Sequence, residues 1–126
     1  MAEGLVLNEQ RNLIRRELIY YLKVTDRNTG KELGRMGDIH AEGMLVFTLK
    51  PLVTPTVYKL LLELPKNMAK EEGYAELPIV AEVLWSRPGP TLSNYQENGF
   101  RFLDLPSQVQ RTIRRLTDIF AMPGSS

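Results

Sequence analysis

From Glu17 onward, apolar residues return at every second position. Leu18, Tyr20, Leu22 and Val24 alternate with Glu17, Ile19, Tyr21 and Lys23, which is the period of a strand with one buried face. The segment Asp26 to Lys31, DRNTGK, reads as a turn in which Asn28 and Gly30 can take positive φ. A second strand is expected over Glu32 to Ile39, with Gly34 and Gly37 marking a bulge or a close approach. MLVFTL, beginning at Met44, is apolar on both faces and reads as a buried strand. In TVYKLLLEL, Tyr58, Leu60, Leu62 and Leu64 alternate with Lys59 and Glu63. A helix competes there because leucine is frequent, but prolines close both ends and a strand is preferred. LPIVAEVLWS is expected to be a fifth strand with Ile79, Ala81, Val83 and Trp85 on one face. GFRFLDL is a sixth, with Phe100 and Phe102 inward and Arg101 outward. PKNMAKEEGYAE and RPGPTLSNYQEN read as polar connections.

The last element has another period. Val109, Ile113, Leu116 and Phe120 recur at helical spacing. Pro106 and Ser107 make a start, and Pro123-Gly124 a stop. Short antiparallel strands leave unpaired edges unless the sheet closes on itself. The expectation is therefore a mostly-β fold, a six-stranded antiparallel barrel with a C-terminal α-helix over an open side or end. Residues 1–16 form an N-terminal arm, 17–121 the barrel and helix, and 122–126 a tail. No internal repeat or linker divides the chain, and 126 residues suit one domain.

Composition narrows the functions. Hydrophobic residues make up 43% and charged residues 25%, the balance of a globular protein. There is no cysteine, so thiolate catalysis and zinc–thiolate sites are out. A net charge of +1 argues against a broad surface for long nucleic acid, although a few arginines can still build a local anion site. The N-terminus lacks the pattern of a signal peptide, and no apolar run is long enough to span a bilayer, so no membrane insertion is expected and a cytoplasmic location is.

Enzyme templates fail. His40 is the sole histidine, so a histidine metal cluster is excluded. No serine lies in a Gly-x-Ser-x-Gly elbow, and no phosphate-binding glycine loop is present. Glu71-Glu72 reads as a solvated pair. Two short patterns carry more. Arg11 and Arg15 are four residues apart, with Arg16 adjacent. A guanidinium offers a planar fork for phosphate or for guanine O6 and N7, and a flat face for stacking. Downstream, Asp38-x-His40-x-x-Gly43 puts a carboxylate at a strand end, where it could accept from N1–H and N2–H₂ of guanine. Gly43 would permit close approach of a base, or a tight bend. Taken alone, the first pattern is better read as a solvated basic arm and the second as an ordinary β-turn.

In order, the two patterns resemble the PilZ domain family, which has Arg-x-x-x-Arg on an N-terminal arm and (Asp/Asn)-x-Ser-x-x-Gly after the first hairpin. Arg11-Asn-Leu-Ile-Arg15 and Asp38-Ile-His40-Ala-Glu-Gly43 are the counterparts, VAEVLWS and NGFRFLDL resemble later strands, and the resemblance covers residues 9–121. It implies a six-stranded barrel that binds cyclic di-GMP and needs no other cofactor or metal. Arg11 and Arg15, or Arg16 if the arm shifts by one residue, would contact guanine and phosphate. The segment Asp38 to Gly43 would hold a guanine. Ligand would order the arm and alter the surface seen by an effector protein, in motility or biofilm regulation. His40 departs from the family serine. It replaces the serine contact, stacks on the base, obstructs the pocket, or is a turn residue with no ligand role. The alternative function is a degenerate PilZ domain that binds no nucleotide and acts as a protein–protein interaction module. A barrel for single-stranded nucleic acid would need exposed aromatics beside basic strands, and most aromatics here are expected in the core.

Overall fold

A computed structural model describes residues 21–90 and 94–120, apart from the side chain of Phe120. Strands β1 (Leu22–Asp26), β2 (Glu32–Ile39), β3 (Gly43–Thr48), β4 (Thr56–Glu63), β5 (Glu76–Pro88) and β6 (Gln96–Phe102) pair in the order β1-β2-β3-β6-β5-β4 and close into a barrel. All the pairings are antiparallel. Two helices complete the described fold, α1 (Lys66–Glu72) and α2 (Ser107–Phe120).

The interior is filled by alternate residues of every strand. Val24, Met36, Val46, Leu60, Leu62, Ala81 and Val83 are wholly buried. Burial of such side chains stabilises by roughly 1.5–3 kcal/mol each, and closure leaves no bare edge for another chain to extend. β2 occupies the expected residues. β4 is a strand rather than a helix, because Leu60 and Leu62 point inward while Lys59 and Val57 face solvent. The first turn is tied by the Gly30 N–H donating to the Asp26 carbonyl, and Gly30 takes φ 73°. The start expected for the first strand, Glu17 to Tyr20, lies outside the described residues.

Three expectations are corrected. The segment read as the polar connection PKNMAKEEGYAE contains α1, whose Met68 is buried and whose C-terminus is closed by Gly73 at φ 87°. β6 begins at Gln96, inside the second expected polar loop. Asn98 there is buried, its Nδ2 donating to the Val46 carbonyl at 2.9 Å and to Thr48 Oγ1 at 2.8 Å. Its Oδ1 has no hydrogen-bond partner among the described residues, and a polar residue inside a barrel looks like a loop residue in sequence. Finally, Trp85 does not share the inward face with Ile79, Ala81 and Val83. The register of β5 against β6 slips between Val83 and Trp85, leaving Leu84 as an extra residue. This bulge turns Trp85 outward.

Helix α2 packs Val109, Ile113 and Leu116 onto the core, with β2 and β5 among its neighbours. A polar cluster ties it to α1. Buried Thr112 shares a hydrogen bond with Tyr74 Oη at 2.9 Å and lies 3.0 Å from Glu72 Oε1. Arg115 pairs with Glu71 at 3.1 Å and Glu72 at 2.9 Å. Hydrogen bonding to Glu71 leads the causes that raise the Arg115 pKa above its ordinary value.

Candidate functional site

The hairpin joining β2 to β3 carries the Asp-x-His-x-x-Gly pattern. It closes through the His40 N–H, which donates to the Gly43 carbonyl at 2.9 Å. Asp38 owes its orientation to a second bulge. Met36 pairs with Val46 and Asp38 with Leu45, so Gly37 is the extra residue. Without it, alternation would turn Asp38 into the core and Ile39 out; instead Ile39 is buried and Asp38 exposed. Asp38 Oδ1 accepts the Ile39 N–H at 2.9 Å. No other donor among the described residues is bonded to this carboxylate.

His40 is exposed at the hairpin tip, and its Nδ1 accepts the Glu42 N–H at 3.2 Å. Gly43 is buried beneath β6. A Cβ there would lie 2.2 Å from the Phe100 carbonyl oxygen. Its φ is not positive, so close strand approach rather than a left-handed bend explains the glycine. Arg11, Arg15 and Arg16 lie outside the described residues.

Around Asp38 the outer face of β2, β3, β6 and β5 is more aromatic than the alternation predicts. Phe47 lies over Gly37, where a Cβ would come within 2.2 Å of the ring. Tyr21 and Tyr95 meet Phe47 at centroid distances of 5.7 and 5.0 Å. Trp85 lies over Gly99, and the Arg87 guanidinium sits 4.6 Å from the indole centroid. The one available signal was the unbroken Val83-Leu84-Trp85, which interrupts the alternation of β5. The arginines of this face have carboxylate partners: Arg35 with Glu32, Arg87 with Glu97, and Arg101 with Glu82, at 3.1, 3.1 and 2.8 Å. So among the described residues the aromatic surface is not joined to a free basic tract of the kind single-stranded nucleic acid requires.

A cleft of about 370 Å³ opens between the hairpin tip and α2, lined by Glu42, Arg101, Phe102, Asp104, Gln110 and Arg114 among others. Asp38 and His40 are not part of it. Acidic and basic groups are mixed there, so it does not select one sign of charge. Among the described residues, no group of three His, Asp or Glu side chains could hold a metal ion, and no helix is long and apolar enough to cross a membrane.

A closed six-stranded barrel with a C-terminal helix, and a carboxylate turned out on its β2–β3 hairpin, is the architecture of a PilZ receptor or adaptor domain. The model of the PilZ domain family matches residues 8–118, and the chain belongs to that family. No curated protein matches the chain. Among solved structures, the Bacillus subtilis inhibitor of motility MotI/DgrA superposes with a TM-score of 0.63 at 16% identity, over 80% of this chain and 46% of that one. The chain thus spans about half the length of that neighbour. The PilZ domain of YcgR from Escherichia coli, solved with c-di-GMP, superposes with a TM-score of 0.58 at 15% identity, over 80% of this chain and 81% of that one. At these identities the likeness is one of fold.

Proposed function

We propose that this chain is a cytoplasmic receptor for cyclic di-GMP that signals through a partner protein, with Arg11, Arg15, Asp38, His40 and Gly43 as the binding segments and Arg16 in reserve. The observation that carries the reading is the Gly37 bulge, which turns the family's acidic position to the outer surface with one oxygen that no donor among the described residues reaches. A carboxylate so placed accepts from the donor edge of guanine. The phosphates need cations, and the arginines of this face are already paired with carboxylates. The arm supplies them. Arg15 precedes Tyr21 by six positions and Arg11 by ten, which at ~3.5 Å per residue gives reaches of about 20 and 35 Å. Tyr21 already touches the Phe47 ring beside Gly37, so either arginine can come over Asp38. Gly43 acts by letting β6 approach closely and so holds the hairpin in place.

The mechanism is a shift between arm conformations. A ligand that contacts both arm and barrel favours the closed arm by its differential affinity, and the new surface is what a partner reads. His40, in place of the family serine, favours a second reading: an interaction module that binds no nucleotide.

Isothermal titration with cyclic di-GMP, with GTP as control, separates the two. Saturable binding that Arg15→Ala and Asp38→Ala each weaken by more than ~1.4 kcal/mol, tenfold in affinity, is expected. Unchanged affinity in both variants rejects the assigned residues, and absence of heat moves the account to the interaction module. His40→Ser strengthens binding if the imidazole obstructs and weakens it if the imidazole is a contact.

A further inference from the structure

The barrel has two unlike ends. The β2–β3 hairpin, α1 and the start of α2 lie at one, and the β1–β2 turn and the β3–β4 loop lie at the other. At this second end the barrel leaves large apolar side chains open. Leu49 is 61% exposed and Val53 78%, both in the β3–β4 loop, and Val57 at the start of β4 is exposed as well. Thr56 pairs with Val83 and Val57 with Glu82, so exposed Leu84 comes beside the start of β4. Exposed apolar side chains grouped in this way mark an interaction surface.

The loop that carries Leu49 and Val53 is pinned. Thr48 Oγ1 donates to the Lys50 carbonyl at 2.7 Å, and Thr56 Oγ1 to the Val53 carbonyl at 2.6 Å. Ser86 Oγ accepts the Leu52 N–H at 3.3 Å, and Leu52 packs against the core. The cations of the same end are unneutralised: Arg27, Lys31, Lys50 and Lys59 form no ion pair among the described residues. The Arg27 N–H donates to the Lys59 carbonyl, which sets those two side by side. Nearby carboxylates are already engaged, Glu32 with Arg35, Glu97 with Arg87 and Glu82 with Arg101. Asp26 Oδ1 accepts the Asn28 N–H of its own turn at 2.8 Å. Four cations against one carboxylate give this end a positive surplus, which selects an anionic partner and opposes a second copy of the same face. Side chains as open as Val53 stand out from the surface and line no groove, which suits a soft apolar phase that closes round them.

We propose that this end of the barrel docks on an anionic lipid bilayer. Leu49 and Val53 enter the boundary between headgroups and acyl chains, while Arg27, Lys31, Lys50 and Lys59 face lipid phosphates. The association is peripheral, since no helix among the described residues is long and apolar enough to cross a membrane. The Asp38 hairpin lies at the other end of the barrel, so docking neither needs cyclic di-GMP nor competes with it.

The full chain, without nucleotide, is sedimented with vesicles of phosphatidylethanolamine and phosphatidylglycerol in equal parts, and separately with vesicles of phosphatidylcholine. Sedimentation with the anionic vesicles, little with the neutral ones, and release by added salt are expected. Lys31→Gln and Lys50→Gln should each lower the partition coefficient about fivefold. Leu49→Ser combined with Val53→Ser should lower it about tenfold or more. Lys70→Gln, in α1 at the other end, should leave it at the wild-type value. Circular dichroism establishes that each variant is folded. Failure to sediment with the anionic vesicles overturns the proposal and gives this surface to an acidic protein partner instead. Sedimentation that Lys50→Gln and the Leu49→Ser, Val53→Ser pair leave at the wild-type level overturns it too. Neither result bears on the cyclic di-GMP reading, which calorimetry tests separately.

Discussion

Gly43→Ala tests whether the glycine of the hairpin is needed for ligand or for the barrel. An added Cβ would meet the Phe100 carbonyl oxygen at 2.2 Å and the Phe100 carbonyl carbon at 3.3 Å. Both are backbone atoms of β6, so no side chain can rotate away. The strands must separate by about 1 Å at a ladder that runs from Gly43–Arg101 to Thr48–Gln96. Overpacking of this kind costs about 3 kcal/mol, the upper end of the usual range. Alanine also restricts the unfolded chain, which returns up to about 1 kcal/mol. The net loss is about 2 kcal/mol, and with a urea m-value of about 2 kcal/mol/M the midpoint should fall by about 1 M. The assay is equilibrium urea unfolding without nucleotide. Gly30→Ala is the control, because nothing lies within 4 Å of its Cβ and only its φ of 73° opposes the change; about 1 kcal/mol is expected there. A Gly43→Ala midpoint within about 0.3 M of wild type would refute the close-approach argument, given that m-value, and return Gly43 to a ligand role.

Two further outcomes follow from the core. Leu60→Ala removes a wholly buried side chain at the centre of β4 and should cost about 2–5 kcal/mol by the same urea assay. Burial, and then the Asp26 carboxylate, push the Tyr58 phenol above its ordinary pKa of 10.0. The unfolded chain therefore releases this proton first as pH rises, so Tyr58 contributes no penalty below pH ~10 and lowers stability above it. Thermal melts between pH 9 and 11 should show a decline that Tyr58→Phe reduces, and an ultraviolet titration should show a late-ionising tyrosine that Tyr58→Phe removes.

The elements that were legible in the sequence are those with turn residues at their ends and a recognisable inner face. In Thr56–Glu63 that face is Tyr58, Leu60 and Leu62, while Glu32–Ile39 was legible from its bounding turns although the Gly37 bulge breaks its alternation. The helix at Ser107–Phe120 follows from Val109, Ile113 and Leu116. What escaped depends on tertiary context. α1 buries Met68 as its single core residue, too little for a period to appear. Asn98 is polar yet interior because Val46 and Thr48 supply its acceptors. Trp85 left the expected face through one inserted residue, and a one-residue slip reverses every side chain beyond it. At the site, the order of the motifs gave the hairpin. The reason for Gly43, the approach of Phe100, is a contact between residues far apart in the chain. The outward aspect of Asp38 required the Gly37 bulge, which a glycine in a strand only hints at.

The most direct test is amide NMR of the labelled full chain titrated with cyclic di-GMP near neutral pH. The account predicts saturable shifts concentrated at Gly37 to Gly43, on the outer face of β3 and β6, and in the arm around Arg11 and Arg15. GTP should produce none of comparable size. A spectrum unchanged at high micromolar cyclic di-GMP, or shifts confined to the cleft beside Gln110 and Arg114, would contradict it.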